Sequence, residues 1–257
     1  MKLSNISLRL SAMIYKVYFS PTGGTKKCLD LLCPEGIEID LSKRDYDGRL
    51  QLSASDILYV AMPSFGGRCP SLAIERLKSI RGNGTKAVLL AVYGNRAFED
   101  TLIELYDTLK EQGFIIKAAA SAIAEHSMIR EIAAGRPDDD DRKRLLSFKA
   151  SIEKRLQEEE VLEEVPGRCP YKSIGSFLKP HATLSCIRCG KCYLSCPSGA
   201  IDEMRPNLTD DAKCIGCARC IAICPEKARE YDAAEFEIVE ERIKRLAEER
   251  KEPELFL

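Results

Sequence analysis

Cysteine is the residue type in this sequence with the clearest capacity for chemistry. The chain has twelve cysteines among 257 residues, and eight of them lie between residues 186 and 224. They form two runs of identical spacing, Cys-x2-Cys-x2-Cys-x3-Cys-Pro. The runs consist of Cys186, Cys189, Cys192 and Cys196, followed by Cys214, Cys217, Cys220 and Cys224. Thiolates at such short, repeated spacings predict metal centres held by cysteine sulfur.

Zinc ions and iron–sulfur clusters both use cysteine ligands, so the two kinds of site must be distinguished by the spacing of the cysteines. Four-cysteine zinc sites usually come as two separated Cys-x2-Cys units. Here each run has three cysteines two residues apart, then a fourth followed by proline, which is the pattern that holds [4Fe–4S] clusters. Isoleucines at positions 187, 215, 221 and 223 lie beside the thiolates. They would limit solvent access to a cluster. The sequence favours iron–sulfur clusters over zinc.

Both runs closely resemble those of bacterial ferredoxins that carry two [4Fe–4S] clusters. In that family the fourth cysteine of each run binds the cluster of the other run. The resemblance implies that the first cluster is bound by Cys186, Cys189, Cys192 and Cys224. It implies that the second is bound by Cys214, Cys217, Cys220 and Cys196. We expect this ferredoxin domain to span residues 186–232.

The remaining composition indicates the setting of these cysteines. The other four (Cys28, Cys33, Cys69 and Cys169) follow no ligand spacing and are interpreted as buried or incidental thiols. The N-terminus lacks the continuous apolar core of a signal peptide, which favours a reducing cytoplasm where thiols stay free for metal. The formal net charge is -1, and no apolar stretch approaches ~20 residues. We therefore expect neither a nucleic-acid nor a membrane partner.

Residues 13–160 alternate short apolar runs with helical patterns. The apolar runs predict strands at 14–19, 37–41, 57–62, 87–93 and 114–124. The helical patterns lie at 25–33, 72–80, 98–112 and 138–160. Apolar runs without alternation indicate strands that are buried on both faces of a parallel sheet. We predict an α/β fold, a flavodoxin-like doubly wound five-stranded parallel sheet, followed by a small α+β ferredoxin-like domain with two [4Fe–4S] clusters.

Three loops follow predicted strands at what would be one edge of the sheet. The first, Ser20-Pro21-Thr22-Gly23-Gly24-Thr25, brings hydroxyls and bare glycine backbone to a helix N-terminus, where an anion can bind. The others are Pro63-Ser64-Phe65-Gly66-Gly67-Arg68 and Tyr93-Gly94-Asn95-Arg96. Neither a Walker loop nor a G-x-G-x-x-G dinucleotide motif is present in the sequence.

These loops resemble those of flavodoxins, which hold the FMN phosphate with [ST]-x-T-G-x-T after the first strand and grip the isoalloxazine ring with the other two loops. The resemblance implies FMN contacts from Ser20, Thr22, Gly23, Gly24, Thr25, Pro63, Ser64, Phe65, Gly66, Gly67, Tyr93, Gly94, Asn95 and Arg96. Simple packing is the alternative for Phe65 and Tyr93. Arg68 and Arg96 would bring positive charge to the ring. His126 could border the flavin, with a surface role as the alternative.

The rest of the chain is predicted to connect or cover these domains. Residues 1–12 form an N-terminal extension, unless translation begins at Met13. Residues 161–185, rich in proline and glycine, are a linker. A charged amphipathic helix, roughly 233–251, lies in the C-terminal segment 233–257 and is interpreted as a cap on one domain.

The whole arrangement resembles the flavodoxin–ferredoxin fusion proteins of anaerobes. The resemblance implies non-covalent FMN beside two [4Fe–4S] clusters, with low-potential electrons passing between them. One alternative is an FMN-dependent reductase of a small molecule fed by its clusters. Another is a cluster-only ferredoxin with a docking domain. We expect a redox protein as donor or acceptor. Whether FMN meets a cluster within one chain or across a homodimer stays open.

Overall fold

The computed structural model describes residues 12–175 and 177–257, so all but the last residue of the predicted N-terminal extension lies outside it. The strands are β1 (Ile14–Tyr18), β2 (Ile37–Asp40), β3 (Leu50–Gln51), β4 (Ile57–Pro63), β5 (Ile80–Arg81), β6 (Thr85–Tyr93), β7 (Phe114–Ile123), β8 (His181–Ala182), β9 (Arg229–Glu230) and β10 (Glu254–Phe256). The helices are α1 (Gly24–Leu32), α2 (Ser71–Leu77), α3 (Thr101–Glu111), α4 (Asp139–Gln157), α5 (Lys191–Ser195), α6 (Arg219–Ala222) and α7 (Ala233–Leu246). None of these helices is long and apolar enough to cross a membrane.

The main sheet has the strand order β10-β7-β6-β4-β1-β2. Strands β2, β1, β4, β6 and β7 are all parallel, which is the 2-1-3-4-5 order of flavodoxin-like sheets. The predicted flavodoxin-like α/β fold is therefore confirmed.

The sheet has six strands instead of the five predicted. Strand β10, near the C-terminus, pairs antiparallel with β7 and forms the edge of the sheet. The prediction missed this strand because it has three residues, which are too few to show the alternation of apolar and polar residues that indicates a strand. Their pairing depends on the open edge of β7, a neighbour that is distant in the sequence.

Both faces of the sheet are buried, which explains why the sequences of these strands are continuous apolar runs. In β4, Val60 and Met62 face the core beneath α2 and α3, whereas Tyr59 and Ala61 face the core beneath α1 and α4. The loops at the carboxyl ends of the strands are left outside both cores. The chain is free there to carry glycine and polar residues.

One buried side chain, Asn95, makes several hydrogen bonds to the C-terminal segment. Asn95, in the left-handed conformation at φ +62°, donates from Nδ2 to the carbonyl oxygens of Ala247 (2.7 Å) and Glu249 (3.0 Å). Its Oδ1 accepts from the backbone N–H of Lys251 (3.0 Å) and from Arg136 (3.2 Å). Helix α7 accordingly ends at Leu246, before the predicted residue 251, and an extended segment continues to β10.

The small C-terminal domain contacts the first domain through arginines. Arg76 donates to the carbonyl oxygen of Pro197 at 2.8 Å, and Arg219 donates to Ser42 Oγ at 3.2 Å. Arg44 donates to the carbonyl oxygen of Tyr193 at 3.0 Å and lies 4.1 Å above its ring. These contacts orient the cysteine runs toward the carboxyl edge of the sheet.

Replacing Asn95 with glycine should loosen the C-terminal segment while preserving the positive φ. Losing the three hydrogen bonds that Asn95 makes to this segment should lower the free energy of opening it by about 2 kcal/mol or more. Trypsin should then cleave between Lys244 and Lys251 at least about tenfold faster. The matched control, Asn83→Gly, lies in a turn at the opposite edge and should leave that rate unchanged. Equal rates in both variants would contradict this account.

Candidate functional site

A cavity of about 480 Å³ opens at the carboxyl edge of the sheet, where the loops after β1, β4, β6 and β7 converge. Ten of the predicted flavin residues line it: Thr22, Gly24, Thr25, Pro63, Ser64, Phe65, Gly66, Tyr93, Gly94 and Arg96. Ser20, Gly23, Gly67 and Asn95 belong to the same loops but lie behind this lining. The Asn95 side chain is occupied with the C-terminal segment.

The loop after β1 has the geometry of an anion site. Gly23 takes φ +92° immediately before α1, and Ser20 Oγ accepts from the backbone N–H of Lys26 at 3.0 Å. Ser20 thus satisfies the Lys26 N–H, whereas the N–H groups of Gly24 and Thr25 have no acceptor among the described residues and remain for another one. A Cβ on Gly24 would lie 2.9 Å from the Ala124 Cβ. Bare backbone is therefore required there, and a phosphate group fits this cradle.

The loop after β4 turns tightly and positions one aromatic ring. Phe65 and Arg68 pair through two backbone hydrogen bonds of 2.8 and 3.2 Å, with Gly66 at φ +63° and Gly67 at φ +91°. A Cβ on Gly67 would lie 1.8 Å from Glu99 Oε2. The turn holds Phe65 at the cavity, where a planar ring could pack against it.

Arg68, expected near the flavin ring, does not line the cavity and is paired with a carboxylate. Its guanidinium makes two 2.7 Å hydrogen bonds to the carboxylate of Glu104 and a third to the Lys172 carbonyl at 2.9 Å. It also lies 4.5 Å from the Tyr171 ring. The partner Glu104, on α3, is distant in the sequence. A motif reading therefore could not reveal that this charge is neutralised.

Arg96 does line the cavity, but it shares a carboxylate with a second cation. Glu99 Oε2 accepts from Arg96 at 2.6 Å and from Lys172 Nζ at 2.7 Å. The pKa of Glu99 is lowered by these hydrogen bonds although burial opposes the shift. Two cations around one carboxylate leave a net positive charge at the cavity wall.

His126 also lines the cavity, beside Gly94. Its Nδ1 accepts from the backbone N–H groups of Met128 (3.3 Å) and Ile129 (3.1 Å), which places its proton on Nε2. Burial, with nearby Arg96, lowers the pKa of His126 to about 4. The residue is therefore a neutral hydrogen-bond donor in this wall.

Three segments close the cavity, and the sequence prediction assigned none of them to the site. The linker contributes Lys172, Ile174 and Phe177, with the Phe177 ring 6.0 Å from that of Phe65. Helix α7 contributes Val239, Arg242, Ile243 and Leu246. The second cysteine run contributes Gly216 and Cys217.

The linker is held in place by the start of α3. Asp100 accepts from the backbone N–H groups of Arg168 (3.1 Å) and Lys172 (2.7 Å), and the Tyr171 hydroxyl donates to Asp107 at 2.6 Å. No pattern in residues 161–185 could predict these contacts, because proline- and glycine-rich segments carry no periodicity.

The eight cysteines of the two runs fall into two groups in space. Cys186, Cys189, Cys192 and Cys224 line one small cavity, together with Arg229. Burial raises the pKa of Cys217 and Cys220 to about 12 and also raises that of Cys214. The charge of Cys196 acts in the same direction on all three, and that of Cys192 acts on Cys220 as well. Cys224 thus lies with the first three cysteines of the first run, and Cys196 lies within electrostatic range of the second run.

Hydrogen-bond donors without acceptors surround these groups. Five buried side-chain polar atoms lack a partner in the described part of the chain, and three of them lie in the cysteine-rich domain. They are Arg219 Nε, Arg229 Nε and the Tyr231 hydroxyl. Buried donors without acceptors are costly. The sulfur atoms of an anionic cluster are acceptors, so the residues present fit [4Fe–4S] clusters. The same residues include no group of three or more His, Cys, Asp or Glu side chains arranged around a single metal ion.

Comparison with known proteins gives one family match and several structural neighbours. Residues 181–225 match the family model of the 4Fe-4S dicluster domain. No curated protein matches the chain. A flavodoxin from Streptococcus pneumonia TIGR4 is similar in structure, at 18% identity and TM-score 0.37, over 56% of this chain and 99% of that chain. Fusobacterium nucleatum flavodoxin bound to flavin mononucleotide shows 16% identity and TM-score 0.36, over 55% of this chain and 96% of that chain.

The class of protein follows from the strand order and the matched domain. The chain combines a flavodoxin-like α/β fold with a 4Fe–4S dicluster domain of the ferredoxin type.

The state of His126 can be checked by NMR, because the chain has only two histidines, His126 and His181. With its pKa lowered to about 4, the His126 imidazole should show no titration between pH 8 and pH 5.5. Since the unfolded chain takes up this proton near pH 6.5, His126 should also lower stability as the pH falls below about 6.5. The variant His126→Gln assigns the resonance. A midpoint near pH 6.5 would contradict the buried, neutral state.

Proposed function

We propose that the protein is an electron-transfer iron–sulfur flavoprotein that passes low-potential electrons between two [4Fe–4S] clusters and non-covalently bound FMN. We further propose that it belongs with the flavodoxin–ferredoxin fusion proteins of anaerobes and works in the cytoplasm. Cys186, Cys189, Cys192 and Cys224 would bind one cluster. Cys214, Cys217, Cys220 and Cys196 would bind the other.

One observation carries this proposal. Gly216 and Cys217, from the second cysteine run, line the same cavity as the loops of the flavodoxin-like domain. A Cβ on Gly216 would lie 2.4 Å from the Phe177 Cβ, and the Phe177 ring contacts Phe65 across the cavity wall. This adjacency supports electron transfer within one chain as opposed to transfer across a homodimer.

Different residues of the cavity would bind different parts of FMN. The cradle at Thr22, Gly24 and Thr25 would bind the phosphate, and Phe65 and Tyr93 would pack against the ring system. The linker and α7, which also line the cavity, would limit the access of water to the bound FMN. FMN, when bound, can take up or release one or two electrons and so can link one-electron carriers to two-electron chemistry.

The exposure of the cysteines favours an external redox partner at the first run. Cys189 is exposed, whereas Cys217 is buried against the flavodoxin-like domain. A redox protein that donates or accepts electrons would therefore approach the cluster of the first run. The second run would face the flavin.

Anaerobic purification followed by a visible spectrum, iron analysis and flavin release tests the proposal. We expect eight irons and one FMN per chain, since each [4Fe–4S] cluster contributes four irons. Iron far from eight, or no FMN after reconstitution, would overturn it.

A negative charge introduced into the phosphate cradle should weaken FMN binding without affecting the clusters. Thr22→Glu should weaken FMN binding at least about tenfold, because a carboxylate repels the phosphate at close range. Its iron content should stay unchanged. Ser55→Glu, an exposed change at the amino edge of the sheet, is the matched control and should bind FMN normally. Full electron transfer by a flavin-free Thr22→Glu protein would instead favour the cluster-only ferredoxin.

A reductase of a small molecule is the second candidate, and His126 is the observation that favours it. A neutral Nε2–H donor at the cavity could orient a substrate beside the flavin. Such an enzyme should show substrate-dependent oxidation of its reduced flavin that is faster than exchange with a carrier protein, and His126→Gln should slow only that reaction.

A further inference from the structure

Arg229, on β9, is a buried cation whose charge is balanced by no carboxylate in the described part of the chain. Its residue surface is 3% exposed. Nη1 donates to Thr209 Oγ1 at 2.6 Å, and Nη2 donates to the carbonyl oxygen of Pro206. Nε has no partner among the described residues. The oxygen atoms that hold the charged group are thus both neutral.

This guanidinium lies beside the cysteines of the first run. Nη2 is 3.7 Å from the sulfur of Cys192, and Arg229 lines the cavity formed by Cys186, Cys189, Cys192 and Cys224. A contact of this kind, from a cation to a thiolate, is a charge-assisted hydrogen bond.

The same guanidinium also acts on the second run. Helix α6, which carries Cys220, packs against β9. Arg229 therefore contacts the first group of cysteines and lies on a strand that packs against the helix carrying Cys220. Because the guanidinium is buried, its charge reaches both groups with little screening by water.

A lone buried cation is expensive to desolvate and persists only with a counter-charge. Each oxidised [4Fe–4S] cluster with four thiolates carries about two net negative charges. We propose that Arg229 is a positioning residue whose buried charge is shared by both clusters and raises the reduction potential of each. This inference rests on the proposed cluster binding.

The direction of the shift in reduction potential follows from the charges of the two cluster states. One-electron reduction adds one negative charge to a cluster, and a fixed positive charge nearby stabilises the reduced state more than the oxidised state. Because Arg229 is buried, water and salt screen this effect weakly. Removing the charge should make both clusters harder to reduce.

Tyr231, two residues along the chain, provides a contrast. Its hydroxyl is buried without a partner among the described residues, and its ring stacks on Phe236. A neutral hydroxyl has a single proton to donate and no net charge, so it can affect one cluster only.

The experiment is an anaerobic redox titration of the purified holoprotein, followed by electron paramagnetic resonance. Arg229→Gln should shift the oxidised-to-reduced ratio of both clusters at least about tenfold toward oxidised at a fixed potential, which is about 59 mV for each one-electron couple. Tyr231→Phe should shift one cluster and leave the other unchanged. Lys191→Gln removes an exposed charge next to Cys192 and should shift either cluster less than about threefold.

Several outcomes would overturn the proposal. They are unchanged potentials in Arg229→Gln, a shift of only one cluster in that variant, an equal shift in Lys191→Gln, or a shift of both clusters in Tyr231→Phe. If Arg229→Gln does not retain eight irons, Arg229→Lys decides, because it keeps the charge. If Arg229→Lys retains eight irons and the oxidised-to-reduced ratio of both clusters stays within about threefold of that in the native protein, the charge is responsible for the effect. Cluster loss or a tenfold shift would show a structural role instead.

Failure of the proposed function is distinguishable from failure of this inference. Absence of iron–sulfur absorption in the native protein would remove the proposed function itself. A native protein with eight irons and potentials that do not depend on Arg229 would remove the inference alone.

Discussion

Burial of five parallel strands between two helical layers is the constraint on which the rest of the structure depends. It forces the carboxyl ends of all five strands to meet at one edge, and it excludes the loops there from both hydrophobic cores. Those loops are free to carry glycine at positive φ, as at Gly23, Gly66 and Gly67. The site is thus a consequence of sheet topology, with its residues supplied by loops that the core does not constrain.

The second domain completes this site because the linker is anchored at a particular place. Asp100, at the start of α3, holds the backbone of Arg168 and Lys172 at the cavity rim. From there the chain passes Phe177 and enters the cysteine-rich domain, whose second run faces the cavity. Distance between the two sites is therefore set by a short packed segment and by arginine contacts at the domain interface.

The pairing of cationic side chains differs between the flavodoxin-like cavity and the cysteine-rich domain. Around the flavodoxin-like cavity most cations have carboxylate partners, as Arg68 has Glu104 and Arg96 has Glu99. Around the cysteines, Arg229 is held by neutral oxygens and sulfur. This asymmetry matches a protein whose strongest anionic charge is expected in the cysteine-rich domain, on clusters held by thiolates.

The sequence by itself determined those features that depend on local spacing: the two cysteine runs, the three loops, and strands such as 57–62, observed at Ile57–Pro63. Periodicity and ligand spacing act over a few residues and are readable in one dimension. Only the tertiary structure decided that Arg68 is neutralised, that residues 254–256 add a sixth strand, that the linker and α7 close the cavity, and that Arg229 lies beside the cysteines of the first run. Each of these depends on a partner far away in the chain, brought near by burial of apolar surface, and no local pattern encodes such a contact.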